Sequence, residues 1–105
     1  RWQKPAIVLT NRGCYSATNT FVRDMLCCPN VRTLGDSTGG GSGMPFTSEL
    51  PNGWLVRFSA CPQYDREKRH IEFGIPPTIP CELKAGDVAK GEDTLIETAR
   101  KLLAR

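Results

Sequence analysis

Residues 5–34 read PAIVLTNRGCYSATNTFVRDMLCCPNVRTL, and the change of apolar period along them decides the fold. Residues 5–10 (PAIVLT) are a short β-branched run without alternation, the pattern of a strand covered on both faces. Asn11-Arg12-Gly13 breaks the run. From Ser16 onward, Ala17, Phe21, Val22, Met25 and Leu26 recur at helical spacing, which predicts an amphipathic helix with those residues inward and Pro29-Asn30 closing it. Residues 31–34 give a second brief strand. Strand, helix and strand at this length make a βαβ unit with a parallel pair. The loop before the helix then lies at the carboxyl end of a strand, with Ser16 at the helix entrance.

Working outward, residues 35–43 (GDSTGGGSG) hold five glycines in nine positions, a loop able to turn sharply or to bring backbone N–H groups close to a ligand. Gly35 and Gly40 have the spacing of a phosphate-binding loop, yet Gly41 stands where that loop needs its lysine, so nucleotide binding is rejected. Residues 46–50 and 54–60 flank Pro51-Asn52-Gly53, which predicts an antiparallel hairpin with a tight Asn-Gly turn. Residues 71–80 carry too many prolines for a central strand and should run as an edge or along the surface. Asp93 is the N-cap of a last amphipathic helix whose apolar face is Leu95, Ile96, Ala99, Leu102 and Leu103. Arg100, Lys101 and Arg105 gather at its negative end.

The whole is one α/β segment of 105 residues, too short for two domains. Hydrophobic residues are 39% and charged ones 24%, which excludes a disordered or fibrous chain. No apolar run reaches the roughly 20 residues of a membrane span, and Arg-Trp-Gln-Lys-Pro at the start is no signal peptide. The sequence opens at an arginine close to an apolar strand, so it is read as an excised part of a longer protein. A net charge of +3 is scattered. Its densest cluster, Arg66-Glu67-Lys68-Arg69-His70, contains its own acid and lacks interleaved aromatics, so no nucleic-acid partner is expected. Cys27 and Cys28 are adjacent, while Cys14, Cys61 and Cys81 stand far apart, so no C-x-x-C pair seeds a metal site.

Ser16 is the candidate for chemistry, although placement alone favours its use as a helix cap. The first N–H groups of a helix have no internal partners, so the N–H of Ala17 can point at a carbonyl oxygen as it becomes an oxyanion while Ser16 attacks. The competing role is plain helix capping, with the Ser16 hydroxyl bonded to N–H groups of the first turn. Cys14 precedes those donors and is read as a packing residue.

The order AIVLTN, Ser16-Ala17-Thr18-Asn19, LGDSTGG, LPNGW, Glu72-Phe73-Gly74-Ile75-Pro76-Pro77 and Gly91-Glu92-Asp93-Thr94-Leu95 resembles the C-terminal part of the catalytic core of the carboxyl-terminal processing serine proteases, peptidase family S41. The resemblance spans nearly the whole chain. It implies a partial ClpP/crotonase-like fold of β-β-α units, with residues 1–105 a single segment whose upstream part is absent. It also implies endopeptidase activity toward peptide or protein C-termini, no cofactor, no metal, and Ser16 as nucleophile. The absent part would supply a second oxyanion N–H from a Gly-rich strand end, and commonly a PDZ domain. Bacterial members mostly act in the cell envelope, which sets the expected location.

Three positions depart from the family's pattern. The lysine that serves as base in the Ser/Lys branch is replaced by Gly41, so Gly39-Gly40-Gly41 resembles the loop of lysine-lacking members, in which an upstream histidine supported by an acid takes the proton. Asn19 replaces an acid in the serine helix, and Thr78 replaces the aspartate of G-I-x-P-D. Glu72 is the candidate for orienting an imported histidine. His70, the one histidine of the chain, has a suitable ordinary pKa but sits in a polar connection. The alternative function is a catalytically degenerate peptidase fold that binds peptides or apolar ligands. Cutting such a core also leaves an open sheet edge and an apolar face, so self-association of the segment is expected.

Overall fold

A computed structural model describes residues 2–104. Its centre is a three-stranded parallel sheet in the order β1-β2-β5, formed by β1 (Ala6–Thr10), β2 (Val31–Gly35) and β5 (Ile79–Pro80). Ala6 is level with Val31 and Thr10 with Gly35, so the expected parallel pair is present. Helix α1 (Ala17–Met25) makes the crossover between them. β2 is the covered strand, with Val31, Thr33, Leu34 and Gly35 buried, whereas β1 is an edge and exposes part of Leu9. The expectation that residues 5–10 are covered on both faces is therefore corrected. An unalternating apolar run reports hydrophobicity, not the presence of a neighbour on each side.

Helix α1 is turned from the expected face. Its buried residues are Asn19 and Val22, and Leu26 packs on the same side, while Phe21 is half exposed. Positions 19, 22 and 26 are spaced i, i+3, i+7 and share one stripe. Val22 joins Ile71 and Ile75 in a small core with Val8 and Leu26 against it. Each fully buried aliphatic side chain there contributes about 1.5–3 kcal/mol. Asn19 shares that interior because its amide is fully bonded.

Residues 71–78 are irregular chain ending in the two residues of β5, as the prolines required. Thr78 accepts from Thr33 N–H at 2.7 Å and donates to Thr33 O at 2.7 Å, fastening this segment to β2. The position that departs from the family's aspartate is thus a sheet fastener here. The hairpin pairs β3 (Pro45–Glu49) with β4 (Leu55–Ser59), Glu49 level with Leu55. Leu50 N–H donates to Trp54 O at 2.7 Å and Gly53 N–H to Leu50 O at 2.8 Å, so residues 51–53 form a tight loop as expected, but with Gly53 alone at positive φ it is the three-residue form rather than a two-residue Asn-Gly turn. Asn52 instead accepts from Trp54 N–H at 3.1 Å, an Asx turn that competes with the two-residue form.

A short helix α2 (Ala85–Val88), not anticipated from the sequence, leads into α3 (Thr94–Leu103). Asp93 caps α3 as expected, its Oδ1 accepting from Leu95 N–H at 2.8 Å and Ile96 N–H at 3.1 Å. Helix α3 lies against β1 and β2 and covers one sheet face. Among the described residues no helix is long and apolar enough to cross a membrane.

Candidate active site

Ser16 sits between the loop after β1 and the first turn of α1, with φ 56° and ψ −117°. A non-glycine residue in such a conformation costs about 1–3 kcal/mol and persists only when its surroundings impose it. They do so through the Gly-rich loop. Ser16 N–H donates to Gly40 O at 2.7 Å, and the Ser42 hydroxyl donates to Ser16 O at 3.1 Å. On the loop's other side, Gly41 N–H donates to Glu72 O at 2.8 Å, and Thr38 N–H to Ile75 O at 3.0 Å. The loop is a buried strut between the Ser16 turn and the segment bearing Glu72.

Glycine is required in that strut. Gly40 has φ 79°, and a Cβ there would collide with the backbone of Glu72. Gly41 has φ 73°, and a Cβ there would enter the ring of Tyr15. Tyr15 lies across the space a side chain at position 41 would enter, and the left-handed backbone at Gly41 disfavours any side chain there. Gly39 likewise presses on Arg12 O and donates its N–H to Cys14 O at 2.9 Å.

The Ser16 side chain is exposed and makes no capping hydrogen bond, although it holds the N-cap position. Ala17 N–H likewise bonds to no acceptor among the described residues. An unshared hydroxyl and an unshared amide thus stand side by side at the positive end of α1. Ser16 lines a cleft of about 350 Å³ together with Tyr15, Gly41, Arg57, Ser59 and Glu72. Glu72 Oε1 accepts from the Ser59 hydroxyl at 2.7 Å, whereas its Oε2 is buried with no partner. A buried carboxylate oxygen left without a donor is costly.

Ser16, Glu72 and Gly41 line one cleft, with Ala17 next to Ser16 along the chain and Gly39 and Gly40 in the same loop but outside the lining; two other residues weighed from the sequence do not line it. His70 is exposed on a separate surface, its ring 5.4 Å from Tyr64 and 6.1 Å from Phe73, and it does not line the Ser16 cleft. Cys14 is half-buried and also absent from the lining.

Sequence reasoning missed the polar interior behind the cleft. Asn19 Nδ2 donates to Ser42 Oγ at 2.8 Å and to Ile71 O at 3.0 Å, while its Oδ1 accepts from Thr38 Oγ1 at 2.5 Å. Thr38 Oγ1 in turn accepts from Ile75 N–H at 2.6 Å. Asn19 thereby joins helix, loop and Glu72 segment in one network. The available signal was its place on the stripe of Val22 and Leu26, a polar residue where an apolar one is the default.

The same architecture recurs in known proteins. A candidate peptidase from Parabacteroides merdae ATCC 43184 superimposes over 100% of the chain with a TM-score of 0.96 and 58% identity. Mature CPAF complexed with lactacystin matches over 94% of the chain with a TM-score of 0.74 and 20% identity. A lipoprotein from Streptococcus agalactiae matches over 95% with a TM-score of 0.68 and 19% identity. The chain spans 33% of the Parabacteroides protein, 19% of mature CPAF and 32% of the lipoprotein. No curated protein matches the sequence. The profile of peptidase family S41 covers residues 1–81, most of the chain, and on that extent the chain belongs to peptidase family S41.

Proposed function

We propose that this chain supplies the nucleophile and one oxyanion donor of a serine endopeptidase acting near protein C-termini. The observation that carries the reading is the Ser16 hydroxyl, exposed on a strained turn and spent on no cap, beside the unbonded Ala17 N–H. Ser16 Oγ attacks the scissile carbonyl carbon, and the oxygen that gains charge is held by Ala17 N–H and a second donor outside these residues. The proton passes to a histidine contributed by the rest of the protein. Collapse of the intermediate returns that proton to the departing amine, and water then releases the acyl group by the reverse sequence. Glu72 orients the histidine, for which its unpaired Oε2 is suited. Arg57, exposed in the same cleft and without an ion-pair partner among the described residues, is available to a substrate's terminal carboxylate.

A second reading, a degenerate fold that captures peptides, is favoured by Tyr15 lying across the space at position 41 and by His70 lying elsewhere. Treating the full-length protein with a fluorophosphonate separates the two. The peptidase reading expects a covalent adduct on Ser16 and no turnover after Ser16→Ala. An unlabelled Ser16, or turnover that survives the substitution, discards it. Terminal specificity is checked by pairing free and amidated peptides, of which the free form should be cut faster.

A further inference from the structure

The hydroxyl of Ser42 is fully committed, and that fixes its direction. A serine hydroxyl has one donor and two acceptor sites. Ser42 Oγ accepts from Asn19 Nδ2 at 2.8 Å, and the single Thr20 hydroxyl hydrogen favours Ser42 Oγ at 3.1 Å over Gln63 Oε1 at 3.5 Å, which Arg23 already supplies at 2.8 Å, so the Ser42 hydrogen goes to Ser16 O at 3.1 Å. Ser42 is only 3% exposed, so no water competes for that bond. Asn19 is fixed with equal firmness. Both of its amide hydrogens and its oxygen have buried partners, and the reversed amide would set oxygen against Ile71 O.

Ser16 O and Ala17 N–H belong to one planar trans peptide unit, on opposite sides of the C–N bond. Fixing the carbonyl therefore fixes the direction of the N–H. The Ser16 N–H bond to Gly40 O secures the preceding peptide plane, so both units flanking the strained residue are tied to the same loop.

Resting on the peptidase reading above, we infer that Ser42 is a positioning residue that aims the Ala17 oxyanion donor, with Asn19 as the anchor holding Ser42 in place. This gives the Gly-rich loop a task separate from proton transfer: it sets the angle of the amide that meets the developing charge. An interaction made only as charge develops changes kcat and leaves KM alone.

The experiment compares Ser42→Ala and Ser42→Cys with the unaltered full-length protein. It measures kcat and KM on one peptide, affinity for a peptide boronate, affinity for an uncleaved peptide of the same sequence, and thermal midpoint. Complete loss of one oxyanion donor costs about 10²–10³ in kcat, so a misaimed one is expected to cost about 10–100-fold. Boronate affinity should fall in parallel, with KM and affinity for the uncleaved peptide unchanged. The cysteine variant, a weaker donor of similar size, should fall between. Unchanged kcat in folded Ser42→Ala overturns the inference, as does an equal loss of boronate and uncleaved-peptide affinity. If the alanine variant does not fold, Ser42→Cys decides on the same measures. Failure of the underlying reading is distinct: the unaltered protein would then bind no boronate and Ser16→Ala would keep its turnover.

Discussion

The turn at Ser16 and the β3–β4 hairpin border the same cleft but are held in opposite ways. Around Ser16, buried groups from three separate segments converge, with Asn19 and Thr38 fully enclosed and Ser42 nearly so. The hairpin has no buried residue in either strand; apart from its own ladder, it is secured by the Phe46–Phe58 ring pair at 5.5 Å and by Ser59 on Glu72. A strained conformation survives where bonds over-determine it, and an open ribbon keeps only what its ladder provides. The proposed function assigns chemistry to the first region and accommodation of a chain to the second.

That contrast can be broken most severely at the nucleophile. Ser16→Ala is expected to lower kcat by about 10⁶-fold in the full-length protein without altering the thermal midpoint. Glu72→Gln, which keeps shape but removes charge, should cost about 10²–10⁴-fold in kcat. A rate near that of the unaltered protein would separate Glu72 from the chemistry.

Stability supplies the next test. Asn19→Ala strands Thr38, Ser42 and Ile71 O in the interior and should destabilise the chain by about 3 kcal/mol in a denaturant titration. Phe46→Ala, removing half of a cross-strand pair with no core beneath it, should cost about 0.5 kcal/mol. Equal costs would erase the distinction between the two regions. The open hairpin and the free edge of β1 also lead us to expect self-association of the isolated chain in sedimentation, reduced by Phe46→Lys; a monomer at high concentration contradicts this.

The smallest effect concerns pH. Burial pushes the Asp65 carboxyl up, but Arg69's backbone N–H and guanidinium, with Glu67 N–H, outweigh it and hold the carboxyl below its ordinary value. A depressed carboxylate contributes stability above the unfolded-chain pKa and loses it as pH falls through the folded one. The Asp65→Asn variant should therefore differ from the unaltered chain near neutrality and converge with it below about pH 4. Parallel curves across that range would show the turn to be indifferent to its charge.

Residues whose chemistry dictates their local geometry were legible. The run at 5–10 gave a strand, Asp93 a cap, the prolines after Ile75 an irregular chain, and Ser16 a helix mouth. What escaped depends on neighbours distant in the chain. The orientation of α1 is settled by bonds from Asn19 to residues 23 and 52 positions away, which apolar periodicity does not register. The three-residue form of the hairpin loop follows from strand register, and the exposure of β1 from where the third strand pairs. At the site, placement alone favoured capping as the use of Ser16 and only the family resemblance pointed to attack; the positive φ and the hydroxyl's lack of a capping bond are what the structure adds.

Tyr15 above Gly41 makes the two positions epistatic. A lysine introduced at 41 alone meets the tip of the exposed Tyr15 ring, which can swing aside, and a left-handed backbone, which is strained whatever the space. A lysine base at 41 would therefore need the backbone there to leave its left-handed conformation as well as room beside Tyr15.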